Sequence, residues 1–275
     1  MKLRRIIAIG LLTGLGINPG RAQLQVLPDK EPQGVFAGRA REINMTWKNT
    51  SDKMTTAKIH ARIWQTTSAT AVAYDDVAWT RLQVLPHQTI LTTARFDFPP
   101  VKAETKFLVQ WLAGPNDILG ATTVNVFPAN LLAELKPLLG DATMGVYDPD
   151  NELKPALENS RVKFDDLEVS GFENFVGRLV VVKTISAQMP PERLLRVVKM
   201  LAQKNVAVVW IQPPLQEEKL LPSFYPVTAG TNAIVVAQPD LVEDFSRNPQ
   251  SQINLIRLCR QALRPEIFSL ASLNN

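Results

Sequence analysis

The side chains able to do chemistry are few, and they cluster in the second half of the chain. Asp148-Pro149-Asp150-Asn151 follows the apolar run Thr143–Tyr147, and Lys183 closes a second run, Arg178–Lys183, with Ser186 just beyond it. Gln212 and Gln238 follow two more runs, Val206–Ile211 and Ala233–Ala237. Paired carboxylates at a strand end can hold Mg²⁺ or Ca²⁺ together with a substrate. On that reading Asp148, Asp150, Lys183, Ser186, Gln212 and Gln238 form one crevice. The simpler reading is structural: Pro149 makes a turn, and Asp150 or Asn151 caps the next helix. Asp240 would cap the segment beginning at Leu241 in the same way.

What is missing narrows the chemistry further. The two histidines, His60 and His87, both precede residue 142, so the second half has no imidazole to take and return a proton. Cys259 shares a helical face with Leu255, Leu258, Ala262 and Leu263, which makes it a core residue rather than a nucleophile in a polar, cationic setting. Two histidines and one cysteine do not make a zinc site of the usual type. No glycine-rich phosphate loop follows any strand. The expectation is therefore no catalytic residue, no metal and no cofactor. Trp64 and Trp79 could stack on a sugar, or else cover the edge of a β-sandwich or a domain interface.

The elements that position these residues fall into two halves with different hydrophobic periods. From Gln23 to about Phe127 the period is two. Ile43, Met45 and Trp47 alternate with polar neighbours, as do Ala57, Ile59, Ala61 and Ile63. Further strand-like pieces at Thr80–Leu85, Thr92–Phe98, Thr105–Leu112 and Leu119–Phe127 are separated by turn clusters, which predicts an antiparallel β-sandwich. After Pro128 the strands become short β-branched runs without alternation, as in parallel strands buried on both faces. Helical stretches at Asn151–Asn159, Pro191–Lys204 and Leu241–Leu263, the last broken at Asn248-Pro249, lie between or after them. This is the pattern of a doubly wound α/β domain with a mainly parallel sheet. The expected fold is multidomain, with a sandwich over 23–128, a linker or short helix over 129–141, and an α/β domain over 142–275.

Residues 1–22 read as a signal peptide. A basic start (Lys2, Arg4, Arg5) precedes the apolar run Ile6–Ile17, and small residues Gly20 and Ala22 stand before a cut at Gln23. That run falls short of the ~20 residues a membrane helix needs. The segment carries four basic and no acidic residues, so the chain's 30 basic and 26 acidic residues become 26 of each after cleavage. A balanced mature chain has no phosphate-binding surplus, and nucleic acid is not an expected partner. The expected location is the periplasm or outside the cell, with no membrane span after cleavage.

The order Gly145-Val146-Tyr147-Asp148-Pro149-Asp150, a short helix, Val162-Lys163-Phe164 and then Gly177–Lys183 resembles class I glutamine amidotransferase-like domains over roughly residues 141–240. That resemblance implies a flavodoxin-like fold and a nucleophile elbow after the Gly177–Lys183 strand. Here the strand runs into Lys183-Thr184-Ile185-Ser186 with no cysteine, so it implies a fold kept without its active site. The first half, from its strand rhythm and the segment Phe98-Pro99-Pro100 through Phe107–Trp111, resembles bacterial immunoglobulin-like modules, without the paired cysteines of antibody domains. The leading expectation is an exported, non-catalytic binding or scaffold protein of the bacterial envelope with a protein partner. The alternatives are a hydrolytic or metal-assisted enzyme at the strand ends, and a carbohydrate-binding protein.

Overall fold

A computed structural model describes residues 23–184, 191–212, 224–229 and 232–264. The first half is two packed sheets built from β1 (Leu24–Leu27), β2 (Gln33–Phe36), β3 (Ala40–Asn49), β4 (Thr55–Thr66), β5 (Ala71–Val84), β6 (Thr89–Asp97), β7 (Thr105–Gly114) and β8 (Asp117–Phe127). One sheet has the order β1-β3-β6 and the other β2-β8-β7-β4-β5. All pairings in them are antiparallel except β2 with β8. The alternation works as the sequence predicts: Ile43, Met45 and Trp47 are buried, and so are Ile59, Ala61 and Ile63 on β4. Trp47 stacks on Trp79 with ring centroids 6.1 Å apart and meets Trp111 edge-on at 5.9 Å. Each buried indole N–H finds a hydroxyl, Trp47 at Thr92 (2.8 Å) and Trp111 at Thr122 (3.0 Å). Burying a ring while satisfying its polar tip is the condition for tryptophan in a core.

β5 is longer than its apolar pattern announces, because Ala71–Asp76 is exposed throughout and only from Val77 and Trp79 onward does the strand pack against the core. Its pairing with β4 is interrupted between Ile59 and His60 and between Ile63 and Trp64.

The passage between the halves is packed rather than extended. Leu131–Glu134 forms a 3₁₀ turn that runs into α1 (Leu135–Leu139), closed by Gly140 at φ 62°. Leu131, Leu132, Leu135 and Leu139 are buried in the core of the second half. Phe36 and Phe127, at the ends of β2 and β8, belong to that same core.

The second half contains β9 (Met144–Tyr147), α2 (Lys154–Asn159), β10 (Phe164–Asp166), α3 (Leu167–Ser170), β11 (Leu179–Lys183), α4 (Pro191–Gln203), β12 (Ala207–Ile211), β13 (Phe224–Ala229), β14 (Asn232–Ala237) and α5 (Pro249–Leu263). Its sheet has the order β10-β9-β11-β12-β14-β13. All pairs are parallel except β13 with β14. Alternate residues of each central strand feed two cores. Met144, Val146, Leu179 and Val181 face the α2 and α5 side, while Tyr147, Val180 and Val182 face α4. Gly177 must lack a side chain, since a Cβ there would lie 2.4 Å from the Thr143 carbonyl oxygen and 2.2 Å from the Phe175 ring.

Three sequence expectations are corrected here. The first helix begins at Lys154 rather than Asn151, and neither Asp150 nor Asn151 caps it. The cap is Asp148, whose Oδ2 accepts from the N–H groups of Leu153 (2.6 Å) and Lys154 (3.3 Å). Asp240 caps nothing: it sits inside a 3₁₀ turn at Pro239–Val242, and α5 starts afresh at Pro249 under Asn248, whose side chain accepts from Gln250 N–H at 3.0 Å. Pro249 at the first helical position explains the restart.

Candidate functional site

From β9 the chain passes first to β10 on one side and then, across β9, to β11 on the other. The point of reversal lies between β9 and β11, where open parallel sheets bind ligands outside their carboxyl ends. Asp148 leaves β9 there and Lys183 ends β11. Both are in phase with the residues facing α2, and each is 1% exposed. A buried ammonium needs an anionic partner, because unpaired it costs several kcal/mol. Glu152 supplies it: its carboxylate accepts a hydrogen bond from Lys183 Nζ while its own side chain stays 47% exposed. Glu152 stands on the loop between Asp148 and α2.

A second ionic group lies on the β10 side. Lys154 Nζ donates to Asp166 Oδ2 (2.9 Å) and Glu168 Oε1 (2.7 Å), and the same Glu168 oxygen accepts from Asp148 N–H (2.9 Å). Burial works against the Lys154 charge, but the hydrogen bonds and charges of Glu168 and Asp166 outweigh it and hold the ammonium above its usual range. Burial likewise opposes ionisation of Asp166. The hydrogen bonds from Lys154 and from Glu168 N–H prevail and hold that carboxyl below its usual value. Burial, reinforced by the charge of Glu168, raises the Tyr147 phenol against an opposing pull from Arg193. These groups are committed to one another, which suits them to positioning backbone more than to transferring protons.

The structure brings Asp148 and Lys183 together on one face of neighbouring strands. Asp150 is exposed on the turn. Gln212 and Gln238 are half-buried past β12 and β14, whose ends are joined by a bond from Gln212 N–H to the Ala237 carbonyl (3.0 Å). Neither amide side chain bonds Asp148 or Lys183. Ser186 lies outside the described residues. Sequence reasoning missed Glu152, Lys154, Asp166 and Glu168. Phe164-Asp165-Asp166-Leu167-Glu168 carried a usable signal, since an aspartate two residues before a glutamate at a helix start is a capping pattern.

Cys259 is fully buried, and burial pushes its thiol up to about 12. Trp79 is packed against Trp47 and Trp111, and half-buried Trp64 donates its indole N–H to Gln110 at 2.8 Å. A groove of about 630 Å³ opens beside the edge strand, lined by Thr143, Lys154, Glu158, Phe164 and Asp166. Among the described residues no group of three or more histidine, cysteine or acidic side chains is placed to hold a metal ion. None of the described helices is long and apolar enough to cross a membrane.

No family model matches the chain, and no curated protein matches it. Among solved structures it is similar to an alkylpurine DNA glycosylase of Pseudomonas fluorescens, at 11% identity and TM-score 0.30, over 38% of this chain and 30% of that one. It is similar to a β-glucosidase of Listeria innocua at 15% identity and TM-score 0.28, over 38% of this chain and 16% of that one. A CARDB domain from Pyrococcus furiosus is matched at 14% identity and TM-score 0.26, over 38% of this chain and 93% of the domain. The chain thus spans less than a third of the glycosylase and of the glucosidase. Likenesses at this level carry no argument about function.

Proposed function

We propose that this chain is an exported, non-catalytic binding or scaffold protein of the bacterial envelope. Its immunoglobulin-like sandwich supports an α/β domain that keeps an amidotransferase-like arrangement without its chemistry. The observation that carries this reading is the state of the ionisable groups at the strand ends. Asp148 caps α2, Lys183 pairs with Glu152, and Lys154 pairs with Asp166 and Glu168. A nucleophile needs a base within hydrogen-bond reach and a third group to orient that base. These side chains form buttresses instead. β11 leaves the sheet through Lys183-Thr184, where an elbow cysteine would be required, and no histidine occurs after residue 141.

A sugar-binding role for the sandwich draws no support from the tryptophans. Trp79 lies within the aromatic cluster, and the indole N–H of Trp64 is tied to Gln110. The test has two parts. Cell fractionation followed by N-terminal sequencing is expected to place the protein in the envelope with Gln23 as its first residue. Glutaminase assays of that material are expected to show no turnover. Thiol-dependent glutamine hydrolysis abolished by Cys259→Ser would overturn the reading.

A further inference from the structure

We propose that the loop Pro149–Glu152 covers a binding site for a small organic acid that also bears a hydrogen-bond donor, and that Glu152 holds the place of the acid's carboxylate. The site deepens the binding role proposed above and rests on it.

Three observations meet at the reversal point of the sheet. The first is position: Asp148 and Lys183 leave neighbouring parallel strands on the same face, where doubly wound sheets take their ligands. The second is the origin of the Lys183 partner. The ammonium is 1% exposed, yet the carboxylate that neutralises it comes from a loop residue whose side chain is 47% exposed. A carboxylate arriving from solvent along the same path can make the same pair, so Lys183 stays neutralised while the half-exposed Glu152 moves out to water. The third is Asp148. Its Oδ2 receives two backbone N–H groups, but its Oδ1 is buried and meets no donor. An orphaned buried acceptor is unfavourable, and a hydroxyl or amine on a bound molecule would satisfy it.

Lys183 is not the donor that Oδ1 lacks, so the two groups present a cation and an acceptor to a third party. Phosphate would meet repulsion from Asp148, and a simple amine would meet repulsion from Lys183. A hydroxy acid or amino acid answers both groups at once.

Titration calorimetry of the mature chain with glycolate, glycine, acetate and phosphate tests the site. Glycolate or glycine is expected to bind, acetate several-fold more weakly, and phosphate not at all. Glu152→Gln is expected to tighten binding by about tenfold, because the competing internal carboxylate is gone and the open site is no longer a minor state. Lys183→Met is expected to abolish binding. Should that variant fail to fold, Glu152→Gln still decides the matter. Absence of binding to both wild type and Glu152→Gln would overturn the proposal, as would an affinity that Glu152→Gln leaves unchanged. Consumption of the bound acid would support the site while sinking the non-catalytic reading, so the two fail separately.

Discussion

The two halves differ in whether they bury charge: both hold uncharged polar side chains such as Asn49 or Ser251, but among the described residues charged ones are buried in the α/β half alone. The sandwich core admits Asn49 and Thr122, both uncharged and both bonded to neighbours. The α/β core admits Asp148, Lys154 and Lys183, charged groups that depend on partners from loops and short helices. Apolar packing stabilises without direction, whereas a buried charge stabilises only if its partner stays in place. The sandwich therefore reads as a support, and the α/β strand ends as the region whose structure can respond to something added or removed.

The largest expected effect tests the apolar side. Trp47→Ala removes a fully buried ring of the aromatic cluster and is expected to cost about 3–5 kcal/mol in denaturant unfolding. Trp210 is the one tryptophan of the α/β half, so the fluorescence difference between the protein and Trp210→Phe reports that half separately. If Trp47→Ala also lowers the Trp210 midpoint, the halves unfold together through Phe36 and Phe127, and the comparison describes one cooperative unit.

Gly177→Ala is expected to cost about 1–3 kcal/mol by overpacking against the Thr143 carbonyl and Phe175. The loss should appear first in the Trp210 signal.

The comparison sharpens with pH, since among the described residues four of the five groups held away from their ordinary pKa lie in the α/β half. Asp166 is held below its ordinary 3.8, so its contribution is present above that value and fades as pH falls through the lower folded one. Lys154 is held above 10.5, so its contribution is present below that value and fades as pH rises through the higher folded one. The Cys259 thiol moves from 9.0 to about 12, so the unfolded chain ionises first and stability drops across that interval. Cys259→Ala is expected to flatten the alkaline fall in melting temperature between those values. An unchanged slope would place the alkaline sensitivity elsewhere.

The smallest effect belongs to the sandwich surface. Trp64→Phe keeps the ring but drops the bond to Gln110, with an expected loss of about 0.5–1.5 kcal/mol by chemical denaturation.

Residues that bury by a simple rule were legible in the sequence. The β-branched runs at β9, β11, β12 and β14 announce a parallel sheet because both of their faces are covered, and the alternation of β3 and β4 announces a sandwich. β13 was not legible: its Pro226 argues against a strand and is tolerated only because β13 is the sheet edge. At the site, the positions of Asp148 and Lys183 followed from strand ends alone. Glu152 as the partner of Lys183 did not, because the pair is 31 residues apart in the chain and depends on how the loop after β9 folds back. The helix cap was read onto Asp150 or Asn151, whereas Asp148 supplies it by reaching past the turn to Leu153 and Lys154.

Phe36 and Phe127 finally bear on the order of events during synthesis. The sandwich is complete in sequence at Phe127, whereas β9 gains its two sheet neighbours only after Phe164 and Leu179 have been made. A chain emerging from its amino end can thus finish one half while two phenylalanine rings still face water. The leucines of the passage and then the sheet arrive to cover them, so the first half offers a ready hydrophobic foothold on which the second can nucleate.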